Sequence, residues 1–269
     1  MRIPNIIIAI MLGMCISYGG AQDHLPLLKI DNVQERTVQN GPVVVELTIS
    51  SSSADPLTLD LGDDYISNLR FDVIHDGIRS EEVRLPRPSF AAPGKVTILS
   101  KGVFVKRLIL NPIIPSDKAG IYEISVQLNE NSNQVLRSNQ IFVTIQPGSE
   151  DVIKSVCQTL LNRIKDGADA ATRYQAIHEL SMFRDPAAVP YLKAALDVDR
   201  SGGELLVQSL VKIGSVESIS DLDKIIGGRD PELARYTRSQ LMYLRSSTKN
   251  EQVKEKVSQI VSLPSTSSP

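Results

Sequence analysis

Three histidines, two cysteines and a short run of aspartates are the residues of this 269-residue chain with most chemistry to offer. His24 lies near the start, His75 falls in a predicted turn, and His178 in a predicted helix, so no two have the spacing that zinc ligation uses. His178 and Glu179 look like the opening of a zinc-binding helix, but position 182, where a second histidine would stand, is Met182. His178 is therefore read as solvated or locally bonded. Cys157 sits among Val156, Leu160 and Leu161 at helical spacing and reads as a small buried hydrophobe. In "ADPLTLDLGDDY", Asp55, Asp60, Asp63 and Asp64 could supply oxygens to a calcium ion, yet their spacing fits no calcium loop and solvated turn residues are the simpler reading. No Gly-x-Ser-x-Gly elbow, no phosphate-binding glycine loop and no Ser-x-x-Lys accompanied by its partner motifs is present. No tryptophan and an aromatic content of 4% give little material for stacking on sugars. The expectation is a protein with no catalytic residue, no metal site and no cofactor.

The elements that would carry these residues fall into two patterns. In the C-terminal half, Ala176, Leu180 and Phe183 recur thirty positions on as Leu206, Leu210 and Ile213, and Val189, Leu192 and Leu196 recur as Ile219, Leu222 and Ile226. Six matched positions across a helix pair mark an internal repeat. Ser149 with Glu150 and Asp151 opens the first helix, Asp185-Pro186 and Asp230-Pro231 open later ones, and about seven helices are expected. Gly202-Gly203 and Gly227-Gly228 are expected to supply left-handed caps. The stretch "RYQAIHELSMFRDPAAVPYLKAAL" is similar to the HEAT-like repeats of the phycobilin-lyase type, with Arg173, Ala176, Leu180, Asp185, Pro186, Ala188, Val189, Pro190 and Leu192 in the pattern's positions. The following units depart from it, with Gly203 and Leu206, then Ala234 and Thr237, where the first has Arg and Ala. The resemblance implies a short α-solenoid that offers a binding surface and implies no particular reaction.

In the N-terminal half the period is two. Val43, Val45, Leu47 and Ile49 share one face, and the alternation recurs at Leu57–Leu61, Leu69–Val73, Phe104–Leu110, Tyr122–Leu128 and Ile141–Ile145, separated by turn-forming residues. "DKAGIYEISVQL" resembles the late strand of immunoglobulin-like and fibronectin-like domains, where a tyrosine pins a corner; Tyr122 would hold that place. The fold expected is a multidomain all-β plus all-α chain. A signal peptide over 1–21 comes first, then an antiparallel Ig-like β-sandwich over 22–147. A HEAT-like α-solenoid over 148–262 and a disordered tail over 263–269 complete it.

The first 21 residues have Arg2, an apolar run from Ile6 to Ile16 and small residues at Gly19 and Ala21, the layout of a cleavable export signal. Export to a bacterial periplasm or to the outside follows, with no stable membrane span after cleavage. The whole chain carries a formal charge of -2, which offers nothing to a polyphosphate, so no nucleic acid is expected. The partner expected is another protein, met by a polar surface that includes Arg173, Lys193, Arg200, Arg229, Arg235 and Arg238. The expected function is an exported, non-enzymatic binding or scaffold module. The alternatives are a lyase or lyase accessory, by analogy with the repeat's namesake, and a protease inhibitor using the proline-rich loop Leu85–Gly94.

Overall fold

The computed structural model describes residues 26–34, 37–62, 67–79, 94–129, 135–228 and 230–262. The expected signal at 1–21, most of the loop 85–94, Asp63, Asp64, Arg229 and the tail 263–269 lie outside the described residues.

Alternating apolar residues build the strands. Strand β3 (Val44–Ser50) turns Val45, Leu47 and Ile49 inward, and it pairs antiparallel with β1 (Leu27–Asn32) on one side and β8 (Val103–Ile109) on the other. A second sheet runs in the order β2 (Thr37–Val38), β11 (Ile141–Gln146), β9 (Gly120–Asn129), β5 (Leu69–His75) and β6 (Ile78–Arg79), with β10 (Val135–Arg137) also on β9. A two-stranded piece joins β4 (Leu57–Asp60) to β7 (Lys95–Ile98). The inner faces meet in one cluster that contains Leu47, Ile49, Phe71, Val73, Ile124 and Val126. Asn139 ties the sheets at one edge, accepting from the Ile30 amide at 2.8 Å and donating to its carbonyl at 2.9 Å. Tyr122 pins the turn before β9, its hydroxyl lying 3.2 Å from the Lys118 carbonyl and 3.3 Å from that of Pro115.

Seven helices follow: α1 (Glu150–Asp166), α2 (Ala170–Leu180), α3 (Val189–Val198), α4 (Gly203–Ile213), α5 (Val216–Ile226), α6 (Pro231–Ser247) and α7 (Glu251–Ser262). Ser149, Asp169, Ser215 and Asp230 cap four of them by accepting the backbone N–H three residues on. Of the twelve positions matched thirty residues apart, all but Ile213 and Ile226 are buried, and those two pack partly buried against the same core.

The expected all-β sandwich followed by a solenoid is corrected by this arrangement. The chain is mixed α/β, with eleven strands in three sheets and seven α-helices among the described residues, the helices lying in the C-terminal half. The physical reason is that the strand-rich part does not close on itself. Val38 of β2, 1% exposed, is a member of the helical core cluster, and the Arg184 amide beyond α2 donates to the Asn40 carbonyl at 2.9 Å. Strand β2 also runs parallel to β11, so the six-stranded sheet is not purely antiparallel.

The glycine pairs differ from expectation as well. Gly214, after α4, takes the left-handed cap at φ 62°, whereas Gly202 sits at φ −110° and serves close packing. A Cβ there would lie 2.4 Å from Ile177 Cγ2. Gly202→Ala is expected to lower stability by about 1–3 kcal/mol, the usual penalty for overfilling a packed contact. A urea midpoint equal to that of the unsubstituted protein would show that α2 and α4 do not meet so closely.

Candidate functional site

Three elements converge where the strands meet the helices. Asp169 caps α2, accepting from the Thr172 amide at 2.7 Å and the Thr172 hydroxyl at 3.0 Å, and these bonds hold its carboxyl below the usual carboxylate range. The cap starts the helix so that Thr172, Gln175 and Glu179 stack along one face at helical spacing. Strand β8 alternates, exposing Val103, Val105 and Arg107, and cross-strand pairing sets Arg107 opposite Glu46. Helix α1 brings Arg163 from the turn that also buries Leu160 and Ile164.

Glu179 is the centre of this group. Its side chain is 4% exposed, and it accepts from Arg163 Nη1 at 2.7 Å, Arg163 Nη2 at 3.4 Å and Gln175 Nε2 at 3.2 Å. Arg107 Nη1 stands 3.9 Å from Glu179 Oε1, and Arg107 Nε stands 3.7 Å from Glu46 Oε2. A strand residue and a helix residue thus address one buried carboxylate. Beside them opens a cleft of about 610 Å³, walled by Val105, Lys106 and Arg107 on one side and by Arg163, Thr172 and Gln175 on the other. That volume falls in the ordinary range for ligand sites, about 300–1,000 Å³.

The six basic residues expected to form a contact surface are placed differently. Arg173 is tied to Asp199 at 3.2 Å and to the Gly167 carbonyl at 3.1 Å, and Lys193 is tied to Asp221 at 2.7 Å. Arg173 braces α2 to the end of α3, and Lys193 braces α3 to α5. Arg200 is exposed and lines a hollow of about 450 Å³ with Tyr174, Glu204 and Tyr236. Arg235 is exposed and Arg238 half-buried on α6, while Arg229 is outside the described residues. The seam residues Arg107, Arg163 and Glu179 had no motif to mark them in the sequence, because their meeting depends on how the strands sit against α1 and α2.

Of the other residues with chemistry to offer, Cys15 and His24 lie outside the described residues, and those within them are placed as follows. Asp60 accepts from the Gly62 amide at 2.8 Å as a turn residue, and among the described residues no group of three or more His, Cys, Asp or Glu could hold a metal ion. His75 ends β5, stacked on Tyr122 with ring centroids 4.2 Å apart, and is not in a turn. Burial holds the His178 pKa below its ordinary value, with the nearby Glu179 acting in the opposite sense. Burial pushes the Cys157 thiol up to about 12, with Asp185 adding to the effect. Cys157 is expected to be inert to Ellman's reagent in the native protein at pH 8 and to react fully once unfolded. Because the thiol is raised on folding, its contribution to stability is whole below its ordinary value of 9.0 and is lost as pH rises from there towards about 12. Native-state labelling at pH 8 would contradict this burial.

No protein-family model matches the chain, and no curated protein matches it either. Among solved structures, it is weakly similar to a β-1,2-glucanase from Parabacteroides distasonis. The identity is 14% and the TM-score 0.26, over 87% of this chain and 33% of that one. It is also weakly similar to Astrotactin-2, described as a conserved vertebrate-specific and perforin-like membrane protein, at 10% identity and TM-score 0.23 over 88% and 38%. The chain spans 33% of one structure and 38% of the other, and overlap this loose carries no argument about fold or activity. Among the described residues, no helix is long and apolar enough to cross a membrane.

Proposed function

We propose that the protein is an exported, non-enzymatic scaffold that binds another protein in the cleft between β8 and α1–α2. The observation that carries this reading is that the cleft has one wall from the strand-rich half and one from the helices, with Arg107 of the first and Arg163 of the second both facing the buried Glu179 carboxylate. Glu179, held by Arg163 and Gln175, fixes the helical wall without a ligand, and such preorganisation lowers the cost of binding. The chain's signal-like start supports export.

The test is site-directed photocrosslinking in the source organism. A benzoyl-phenylalanine at Thr172, in the cleft wall, is expected to capture one discrete partner. The same probe at Glu255, exposed on α7, is expected to capture none. Capture from neither position, or equally from both, would overturn the proposal.

A further inference from the structure

We infer that the cleft receives an acidic peptide segment and that Arg107 is the residue that anchors it. This rests on the reading of the cleft as a protein-binding site. Glu179 is already satisfied by Arg163 on both oxygens and by Gln175, so it does not need Arg107. Among the described residues, Arg107 in turn has the two carboxylate approaches at 3.7 and 3.9 Å, both too long for a hydrogen bond. A guanidinium carries five N–H donors in a fixed fork suited to a carboxylate. Here that fork is 41% exposed at the side of a cleft.

The charge of the wall points the same way. Lys106, Arg107 and Arg163 all line the cleft, none of its lining residues is Asp or Glu, and the two arginines are faced by Glu46 and the buried Glu179, on a chain whose net charge is -2. A local basic site on an acidic protein selects for anions and repels cations. The shape favours a peptide over a small free anion. The cleft follows four consecutive residues of β8, Phe104 to Arg107, a length of about 10 Å at the rise of a strand. Along it Val105 is 52% exposed, and Ala171 on the opposite wall is also apolar. A lone phosphate would leave that apolar surface in water, whereas an extended segment with Glu or Asp beside a small apolar residue covers it and meets Arg107.

The experiment uses the purified full chain and the acetylated, amidated peptide Ala-Glu-Val-Glu-Ala, read by isothermal titration or amide NMR shifts. Its Gln counterpart and inorganic phosphate are the other two probes. The Glu peptide is expected to bind and to weaken as salt rises above about 0.15 M. The Gln peptide and the variant Arg107→Met are each expected to lose about tenfold or more in affinity, the size of one charge-assisted hydrogen bond. Arg107→Lys should recover part of the loss, and the exposed control Lys249→Met should bind the Glu peptide as the unsubstituted protein does. A thermal melt of each variant shows that the fold is intact. Equal binding of the Glu and Gln peptides, indifference to Arg107→Met, binding of phosphate as tight as the peptide's, or no binding at all would each overturn the assignment. Should the Thr172 crosslink to a partner persist through such a failure, the cleft stays a binding site and only its acidic ligand falls; should the crosslink fail too, both fall.

Discussion

Arg163→Ala is expected to destabilise the protein by about 3 kcal/mol, more than Glu179→Ala, although each deletes the same ion pair. The asymmetry comes from what is left behind. Without Arg163, the Glu179 carboxylate remains 4% exposed with one amide donor at 3.2 Å and Arg107 at 3.9 Å, and a buried charge so poorly compensated is costly. Without Glu179, the Arg163 side chain, already 32% exposed, can carry its guanidinium into water while its stem stays packed. That variant should lose only about 1–2 kcal/mol. The double variant Arg163→Met with Glu179→Leu is expected to lie close to the unsubstituted protein, because apolar residues of similar volume often replace a buried pair without loss. Urea midpoints of the three variants decide the matter. Equal losses from the two single variants would mean that the carboxylate reaches water in solution.

Where a residue's own neighbours in sequence decide its structure, the elements were legible. The alternation at Val43–Ile49 marks β3 because every second side chain there enters the core, and Asp230-Pro231 marks the start of α6 because the aspartate caps and the proline needs no donor partner. Strand β2 was not legible: Thr37 and Val38 are too few to show a period, and what makes them a strand is the parallel partner β11, more than a hundred positions away. Its omission is what made the two halves look separable. The seam was hidden for the same reason. Glu179 follows His178 and precedes Leu180 on an ordinary amphipathic helix, and only the approach of Arg163 and Arg107 turns it from a surface carboxylate into a buried anchor. Arg173 and Lys193 show the converse. Their positions on a repeated helix suggested an open contact surface, but Asp199 and Asp221 on neighbouring segments claim both.

Leu180→Asp and Leu210→Asp are each expected to abolish the native fold of the helices. Both leucines have no exposure to solvent, one on α2 and one thirty residues later on α4. Each substitution forfeits the burial of a leucine, about 1.5–3 kcal/mol. It also places a carboxylate in an apolar core at a cost of several kcal/mol more. A loss of that size approaches the whole stability of an ordinary domain, about 5–15 kcal/mol. Leu180→Ala, which only opens a cavity, should cost about 2–5 kcal/mol and leave a measurable, lowered melt. The same experiment tests how tightly the halves are joined. Phe183, at the end of α2's run, shares its core with Val38 of β2, and the next residue, Arg184, donates to Asn40. Disruption at Leu180 should therefore reach the strands, seen as loss of the ring NMR signal of Tyr122, shifted by its stacking on His75, together with the helical signal at 222 nm. A Leu180→Asp protein that keeps the tyrosine signal and a separate cooperative transition would show that the strands fold without the helices, and one that melts like the unsubstituted protein would show that the core register is wrong.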